Sequence, residues 1–164
     1  MNSEITTTQI HGFCDASERA LGACVCVRSG NASGNLDSQL LCSKSRVSPV
    51  KQVSIPRLEL CGTQLLARLI KKVLPILCMP VDSVHFWTDS RLVLIWLQGH
   101  PRRWNTYIAN RVRNSGYYIK FYLASCGIGE QSSRCSVKRN NPEELRHNGQ
   151  WWNGPSWLAQ GEEL

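Results

Sequence analysis

Three acidic residues carry the clearest chemical signal in this chain: Asp15, Glu59 and Asp89 lie in the segments HGFCDAS, IPRLELC and FWTDS. The two aspartates end apolar, strand-like runs, and the glutamate opens a long amphipathic helical pattern. We therefore expect three carboxylates to converge at one edge of a sheet. Carboxylates gathered in this way bind hard divalent cations such as magnesium. The sequence predicts a metal site with these three residues as ligands.

Each acid also has an ordinary structural interpretation. Asp15 could be a turn residue at a strand end, Glu59 a favourable acid near a helix N-terminus, and Asp89 the N-cap of the following helix. For any one residue alone, these roles are more common than catalysis. The three acids together, with the segments around them, favour the metal site.

The elements that would position these acids follow from hydrophobic periodicity. Apolar, β-prone runs predict three successive antiparallel strands at residues 9–17, 20–28 and 39–47. Pro56 suits the first turn of a helix, and apolar residues then recur at helical spacing as far as Val73.

The same patterns continue downstream. They predict a fourth strand at residues 81–88, helices at 90–98 and 102–113, and a fifth strand from the β-prone sequence YYIKFYLA at 117–124. The chain is thus expected to be an α/β protein.

Composition places the chain among globular proteins. With 164 residues, 42% hydrophobic and 19% charged, it has the size of one domain and is not of disordered type. The net charge of +7 makes a polyanionic partner plausible, with nucleic acid as the first candidate. The eight cysteines include no CxxC pair, which argues for buried free thiols and against a zinc site.

The N-terminal segment MNSEITTTQIHG has no apolar signal core, and no apolar run approaches the roughly 20 residues of a membrane span. We expect an intracellular protein, cytoplasmic or nuclear, without a membrane partner.

Four longer segments point to one family. The sequences HGFCDASERALGACVCVR, IPRLELCGTQLLARL, VHFWTDSRLVLIWLQGHPRRWNTYIANRV and WWNGPSWL occur in this order. They resemble the ribonuclease H segment of BEL/Pao-type retrotransposon polyproteins, over residues 10–112 and 142–158. The resemblance implies a ribonuclease H-like fold, with a five-stranded mixed sheet in the order 3-2-1-4-5 flanked by helices. It also implies a position between a reverse transcriptase and an integrase.

The resemblance implies a specific chemistry. Members of this family hydrolyse the RNA strand of RNA:DNA hybrids with two Mg²⁺ or Mn²⁺ ions and need no small-molecule cofactor. By motif, Asp15 would bridge both metals, and Glu59 and Asp89 would complete the leaving-group side.

Basic side chains could hold the phosphate backbone of such a hybrid without reading its bases. The candidates are Lys44, Arg46, Lys51, Arg57, Arg102 and Arg103. For any single one of them, a solvated surface position is the simpler interpretation.

The resemblance fails between residues 114 and 141, where the fifth-strand segment and the motif with the fourth acid, NPADxASRG, are missing. Reading permitted codons for residues 121–141 one nucleotide later yields SPADAASRG, so we hypothesise a change of reading frame. Arg134 then replaces the fourth acid. A simpler alignment places Asn140 there instead. Either substitution is expected to impair metal binding and to leave the chain weakly active or inactive.

The sequence thus predicts three regions. They are a disordered N-terminus at 1–8, a ribonuclease H-like domain at 9–141 whose part 114–141 is degenerate, and a tail at 142–164 that resembles the linker toward an integrase. A second hypothesis is a non-catalytic remnant that binds nucleic acid or other parts of a polyprotein. An aspartic protease is excluded because neither FCDAS nor FWTDS contains the Asp-Ser/Thr-Gly turn.

Overall fold

The computed structural model describes residues 5–123 and 142–160, which contain one mixed β-sheet. Its strands are β1 (Ile5–Ala16), β2 (Ala20–Asn31), β3 (Leu36–Val47) and β4 (Ser83–Trp87), arranged in the order β3-β2-β1-β4. β1 pairs antiparallel with β2 and parallel with β4, and β2 pairs antiparallel with β3. The predicted order of the first four strands is confirmed.

The predicted meander has longer strands than its sequence pattern indicated. β1 begins at Ile5, so residues 5–8 are strand although the segment 1–8 was expected to be disordered. The β2–β3 turn is closed by the Asn31 side chain, whose Oδ1 accepts hydrogen bonds from the backbone N–H groups of Ser33 and Asn35. Gly34 in this turn has a φ of 79°, a conformation that glycine adopts without strain.

One face of the sheet is covered by α1 (Ile55–Val73), which begins with Pro56 in its first turn as predicted. Its apolar stripe packs on alternate residues of β1, including Ile10 and Cys14. At Gly12 the helix comes so close that a Cβ atom would lie 2.7 Å from Ile70 Cδ1. Glycine at this position therefore sets how closely α1 approaches β1.

A second layer consists of α2 (Arg91–Gln98) and α3 (Thr106–Leu123), which follows a 3-10 turn at Pro101–Arg103. Together with α1 they enclose a second apolar cluster. Its buried members are Leu60, Ala67, Val93, Trp96, Leu97, Ile108 and Val112.

The predicted fifth strand at residues 117–124 is wrong, because the backbone stays helical in α3 as far as Leu123. The stretch 106–112 already forms a helix that packs through Ile108 and Val112. Extending an existing helix requires no new nucleation, and this outweighs the β propensity of the residues that follow. Among the described residues the sheet has four strands.

The opposite face of the sheet is covered by the C-terminal segment, which contains α4 (Pro142–His147), α5 (Gly149–Asn153) and a 3-10 turn at Ser156–Ala159. Leu158 is fully buried and packs against Phe13 and Trp87. The Ser38 hydroxyl of β3 donates a hydrogen bond of 2.5 Å to the Asn153 carbonyl. Residues 153–158, within the predicted tail, thus contribute to the core.

Candidate active site

Two of the candidate acids lie at the carboxyl ends of neighbouring parallel strands. The β1–β4 pairing ends where Phe13 faces Trp87, and Asp15 and Asp89 each follow two residues later. Asp15 is partly buried, and Asp89 is exposed. The structure therefore brings both aspartates to one edge of the sheet, as the sequence predicted from the two strand ends.

The electrostatics of Asp15 reflect this position. Burial raises the pKa of its carboxyl group, a 2.7 Å hydrogen bond from the Ala16 backbone N–H to Oδ1 opposes the rise, and the negative charge of Asp89 adds to it. Two carboxylates that repel one another are stabilised by a cation between them. The edge therefore has the charge that suits a divalent metal ion.

α1 places Glu59 above the same edge. Glu59 is the fifth residue of the helix, beyond the first turn, so the helix N-terminal interpretation does not apply to it. One turn later, a Cβ atom on Gly62 would lie 3.3 Å from the Asp15 carbonyl oxygen. Residues three apart share one side of a helix, so this contact fixes the part of α1 that carries Glu59 at the end of β1.

Cys14 connects the three elements of this site, a role that the sequence analysis missed. Its Sγ lies 3.5 Å from the Thr63 hydroxyl of α1, and the thiol donates to the Trp87 carbonyl of β4 at 3.7 Å. Thr63 in turn donates to the Glu59 carbonyl at 3.0 Å. In the sequence, the only sign of this role is that Cys14 directly precedes Asp15.

The Cys14 thiol is neutral in this environment. Complete burial raises its pKa to about 11, side-chain hydrogen bonding with Thr63 and Thr88 opposes this rise, and the charges of Asp89 and Asp15 add to it. A neutral thiol does not compete with the carboxylates for a hard cation. Cys14 thus acts here as a packed connector between β1, α1 and β4.

Asp89 does not cap α2. The N-cap is Ser90, whose side-chain oxygen accepts a 3.3 Å hydrogen bond from the Val93 backbone N–H. Asp89 is thereby left outside the helix at the strand end, so the capping interpretation of this residue is wrong.

The three acids do not form a closed ligand set. Within residues 5–123 and 142–160, no group of three His, Cys, Asp or Glu side chains is close enough to hold a metal ion. The oxygen donors of Asp15, Glu59 and Asp89 nevertheless fit magnesium or manganese in type. The two candidates for the fourth position, Arg134 and Asn140, lie outside the described residues. We call Asp15, Glu59 and Asp89 the carboxylate edge.

Lys44 and Arg46 lie beside this edge. In the sheet, Asp15 faces Gly22 of β2, and Gly22 faces Ser45 of β3, which stands between the two basic residues. Two strand spacings separate Asp15 from Ser45, or roughly 10 Å. Lys44 and Arg46 are exposed. The basic end of β3 is therefore level with the carboxylate edge.

The other predicted basic contacts differ in their surroundings. Lys51, Arg102 and Arg103 are exposed, whereas Arg57 is partly buried. The Arg57 guanidinium lies 5.1 Å from the centre of the Tyr107 ring. Arg57 therefore contributes to the packing of α1 on α3, as a cation–π contact would. The sequence alone did not separate it from the exposed residues.

A cleft of about 570 Å³ lies between the β1–β2 turn and the loop from β3 to α1. Its walls include Glu18 from the turn, Val50 and Ser54 from the loop, and Leu58 from α1. It opens next to the basic end of β3.

The site and the topology together define an α/β domain with acidic residues at the ends of two neighbouring parallel strands. Residues 1–90 match the model of a family described as Pao retrotransposon-like RNaseH-like domain. The chain belongs to this family. A search of curated proteins gives no match.

Two solved structures are similar to the chain. One is RNase H1 from the halophilic archaeon Halobacterium salinarum NRC-1, with 12% identity, a TM-score of 0.41, and coverage of 70% of this chain and 79% of that one. The other is the N-terminal RNase H domain of rv2228c from Mycobacterium tuberculosis, solved as a fusion with maltose-binding protein. It has 11% identity, a TM-score of 0.40, and coverage of 71% and 81%.

No helix in the described parts of the chain combines the length and the apolar character that a membrane crossing requires.

Proposed function

We propose that this domain derives from a metal-dependent endonuclease that cleaves the RNA strand of RNA:DNA hybrids, and that its own activity is weak or lost. The observation that carries the proposal is the convergence of Asp15 and Asp89 at the ends of β1 and β4, with α1 placing Glu59 above them. Membership of the Pao retrotransposon-like RNaseH-like family supports the substrate class.

In this proposal, Asp15, Glu59 and Asp89 are the catalytic and metal-binding residues. Mg²⁺ or Mn²⁺ at the carboxylate edge would supply an activated water and neutralise charge on the leaving oxygen. The Asp15 carboxylate would benefit most, because it is partly buried and lies near a second negative charge. Cys14 and Thr63 would act as positioning residues through their contacts with β4 and α1.

The exposed basic residues would hold the hybrid. Lys44 and Arg46 flank Ser45, whose backbone is roughly 10 Å from that of Asp15 across the sheet, and about three nucleotides of one strand cover this distance. Lys51, Arg102 and Arg103 would add further backbone contacts. We assign Arg57 a smaller part because Tyr107 already engages its guanidinium.

The weak activity would follow from the fourth ligand. An arginine in place of an acid changes the local charge by two units, and one pair of unit charges at 4 Å is worth roughly 4 kcal/mol at an intermediate dielectric. Asparagine keeps one neutral oxygen and would cost less. In a parent polyprotein, the domain would follow a reverse transcriptase, and the segment 142–164 would lead toward an integrase.

A cleavage assay tests the proposal. The chain is incubated with an end-labelled RNA:DNA hybrid and Mg²⁺ or Mn²⁺, beside an Asp15→Asn variant. We expect little cleavage by either protein. Robust cleavage by the unaltered chain that Asp15→Asn abolishes would contradict the loss of activity and support the metal site.

Restoring an acid decides between the two candidate positions. We expect Arg134→Asp to increase cleavage if the frame-change hypothesis holds, and Asn140→Asp to do so if the simpler alignment holds. Asn141→Asp is the matched control for Asn140→Asp, since it adds the same single negative charge at a neighbouring residue, whereas Arg134→Asp changes the charge by two units. An equal gain in all three variants would indicate a general charge effect and not a restored ligand.

A non-catalytic domain that binds nucleic acid is the second candidate, and the exposed basic end of β3 favours it. It predicts hybrid affinity that falls with salt concentration but no turnover. Lys44→Gln together with Arg46→Gln should reduce both the affinity and its salt dependence, whereas Arg68→Gln on α1 should not. An unchanged affinity in the double variant would exclude this surface.

A further inference from the structure

Five polar side chains project from one patch of the sheet, on the face opposite α1: Gln9, His11, Arg28, Ser83 and His85. Across β1 and β2, Gln9 faces Arg28. Across β1 and β4, Gln9 faces Ser83, and His11 faces His85. We call this group the histidine–arginine cluster. Its β1 members, Gln9 and His11, lie on the same strand as Asp15 but several residues earlier, and the C-terminal segment partly covers this face of the sheet.

Arg28 is buried in this cluster without a complete set of partners. Its side chain is 9% exposed. One terminal nitrogen donates a 2.9 Å hydrogen bond to Gln9 Oε1, which belongs to a neutral amide. Its Nε has no partner among the described residues. A buried guanidinium costs considerable free energy unless a negative charge or a full set of acceptors meets it.

His85 is the second group with an unused polar atom. It is 8% exposed, and its Nε2 lies 2.9 Å from the Ser83 hydroxyl oxygen. Its Nδ1 has no partner among the described residues. When the Ser83 hydroxyl donates to Nε2, the ring proton lies on Nδ1, which then becomes a free donor.

His11 joins these two groups and is fixed in orientation. Its ring stacks on that of His85 with centres 4.6 Å apart and planes inclined by 6°. Trp87 Nε1 donates to His11 Nδ1 at 3.1 Å, so the proton of neutral His11 is on Nε2, which lies 3.4 Å from Gln9 Oε1. Gln9 Oε1 therefore accepts from both Arg28 and His11, and as a neutral amide it leaves the guanidinium charge uncompensated.

The charge of the cluster is positive at neutral pH. Burial lowers the pKa of His11 to about 3, with contributions from His85 and Arg28, and burial and Arg28 lower the pKa of His85. Both imidazoles are neutral as a result. One guanidinium charge remains, together with the Arg28 Nε–H donor, which lacks an acceptor, and with His85 Nδ1, which is a second such donor when Ser83 donates to Nε2.

We propose that the histidine–arginine cluster is a binding site for a small oxyanion of the inorganic phosphate class, held by Arg28 Nε and His85 Nδ1. The ligand supplies the negative charge and the acceptor oxygens that these two atoms lack, and charge-assisted hydrogen bonds to oxyanions are strong. Of the five side chains, only Gln9 and Ser83 are partly exposed, and Arg28 Nε and His85 Nδ1 are buried. A nucleic-acid strand cannot reach two buried atoms, so the ligand is a free ion and the site is independent of the proposed hybrid substrate.

Calorimetric titration with inorganic phosphate tests the proposal, with sodium chloride at matched ionic strength as the reference. We expect saturable phosphate binding to the unaltered chain and an affinity at least roughly tenfold weaker in Arg28→Gln, since a hydrogen bond to a charged group is involved. Arg68→Gln is the matched control. It removes the same charge from an exposed position of α1 and should leave phosphate affinity unchanged.

NMR of the unaltered chain tests the same proposal without any variant, so the result does not depend on how well a variant folds. In the unaltered chain, the NMR signals of Arg28 Nε–H and of the His85 ring should shift on phosphate addition and saturate together. Signals of exposed arginines should shift without saturating. Failure of the Arg28 and His85 signals to respond, or equal phosphate affinity in Arg28→Gln and the unaltered chain, would overturn the proposal. Hybrid binding should be the same in both proteins.

Discussion

The carboxylate edge and the histidine–arginine cluster share one strand, β1, which carries Asp15 of the first and Gln9 and His11 of the second, yet charge is balanced differently in the two places. Asp15 is at the end of the strand, where solvent and ions can reach it, and its neighbouring charge is also negative. Arg28 and His85 face the middle of the strand, where each is less than a tenth exposed. Charge at an open strand end can be balanced by an exchangeable cation, whereas charge between covered strands needs a specific counter-ion.

The largest expected effect is a loss of stability when the C-terminal segment no longer packs on the sheet face that carries the histidine–arginine cluster. Leu158→Ala removes a fully buried side chain that packs on Phe13 and Trp87, and we expect a loss of about 2–5 kcal/mol in the free energy of unfolding. Trp152→Ala is the control, because Trp152 is 48% exposed. Urea denaturation measures both. Equal, small losses would mean that residues 153–158 do not belong to the core.

The second prediction concerns how the stability of the chain depends on pH through His11 in the cluster. The pKa of His11 in the folded chain is about 3, against 6.5 for a free histidine side chain, so the unfolded chain binds a proton that the folded chain excludes. Stability present above pH 6.5 is lost as the pH falls toward 3, at up to about 1.4 kcal/mol per pH unit.

His11→Gln keeps an acceptor for Trp87 Nε1 and removes this titration. Denaturation curves at pH 7, 6, 5 and 4 should therefore show a flatter dependence for the variant. Identical slopes for the two proteins would show that His11 is protonated in the folded chain.

The smallest effect concerns the carboxylate edge and has the opposite sign. Because burial and Asp89 raise the pKa of Asp15, its ionised form destabilises the metal-free chain at neutral pH, and this cost disappears as the pH falls through the range where the carboxyl group is protonated. Asp15→Asn should raise the melting temperature slightly at pH 7 without metal. Added Mg²⁺ should then stabilise the unaltered chain more than the variant.

Asp37→Asn provides the control for this measurement, since Asp37 is exposed on β3 far from the edge. It should change neither the metal-free melting temperature nor the response to Mg²⁺. A destabilised Asp15→Asn variant in the absence of metal would show that Asp15 acts mainly as a structural acceptor for Ala16.

Secondary structure and site residues could be predicted from the sequence wherever the local residue pattern favours the same structure as tertiary packing. Three apolar, β-prone runs predict the meander, and the ends of two apolar runs place Asp15 and Asp89 together. It failed at residues 117–123, where a helix already anchored by Ile108 and Val112 continues through β-prone residues. The β propensity of residues 117–123 carries no information about the packing of Ile108 and Val112.

The contacts on the sheet face opposite α1 could not be predicted from the sequence for a different reason. Leu158 lies in a short segment without periodicity, so nothing in the pattern marks it as core. His11 and His85 are 74 residues apart in the chain, and only the register of β1 against β4 makes them neighbours. Cys14 was missed because an apolar residue before an acid looks like ordinary strand alternation.

The strict alternation of β1 has a consequence for how this domain can vary in length. Ile10, Gly12 and Cys14 face α1, while His11 and Phe13 face the C-terminal segment. A single-residue insertion or deletion upstream in this strand would exchange the two faces, turning an imidazole toward the leucines of α1. Relatives of this chain should therefore differ in length at the Asn31–Gly34 turn and keep the spacing from Gln9 to Asp15 unchanged.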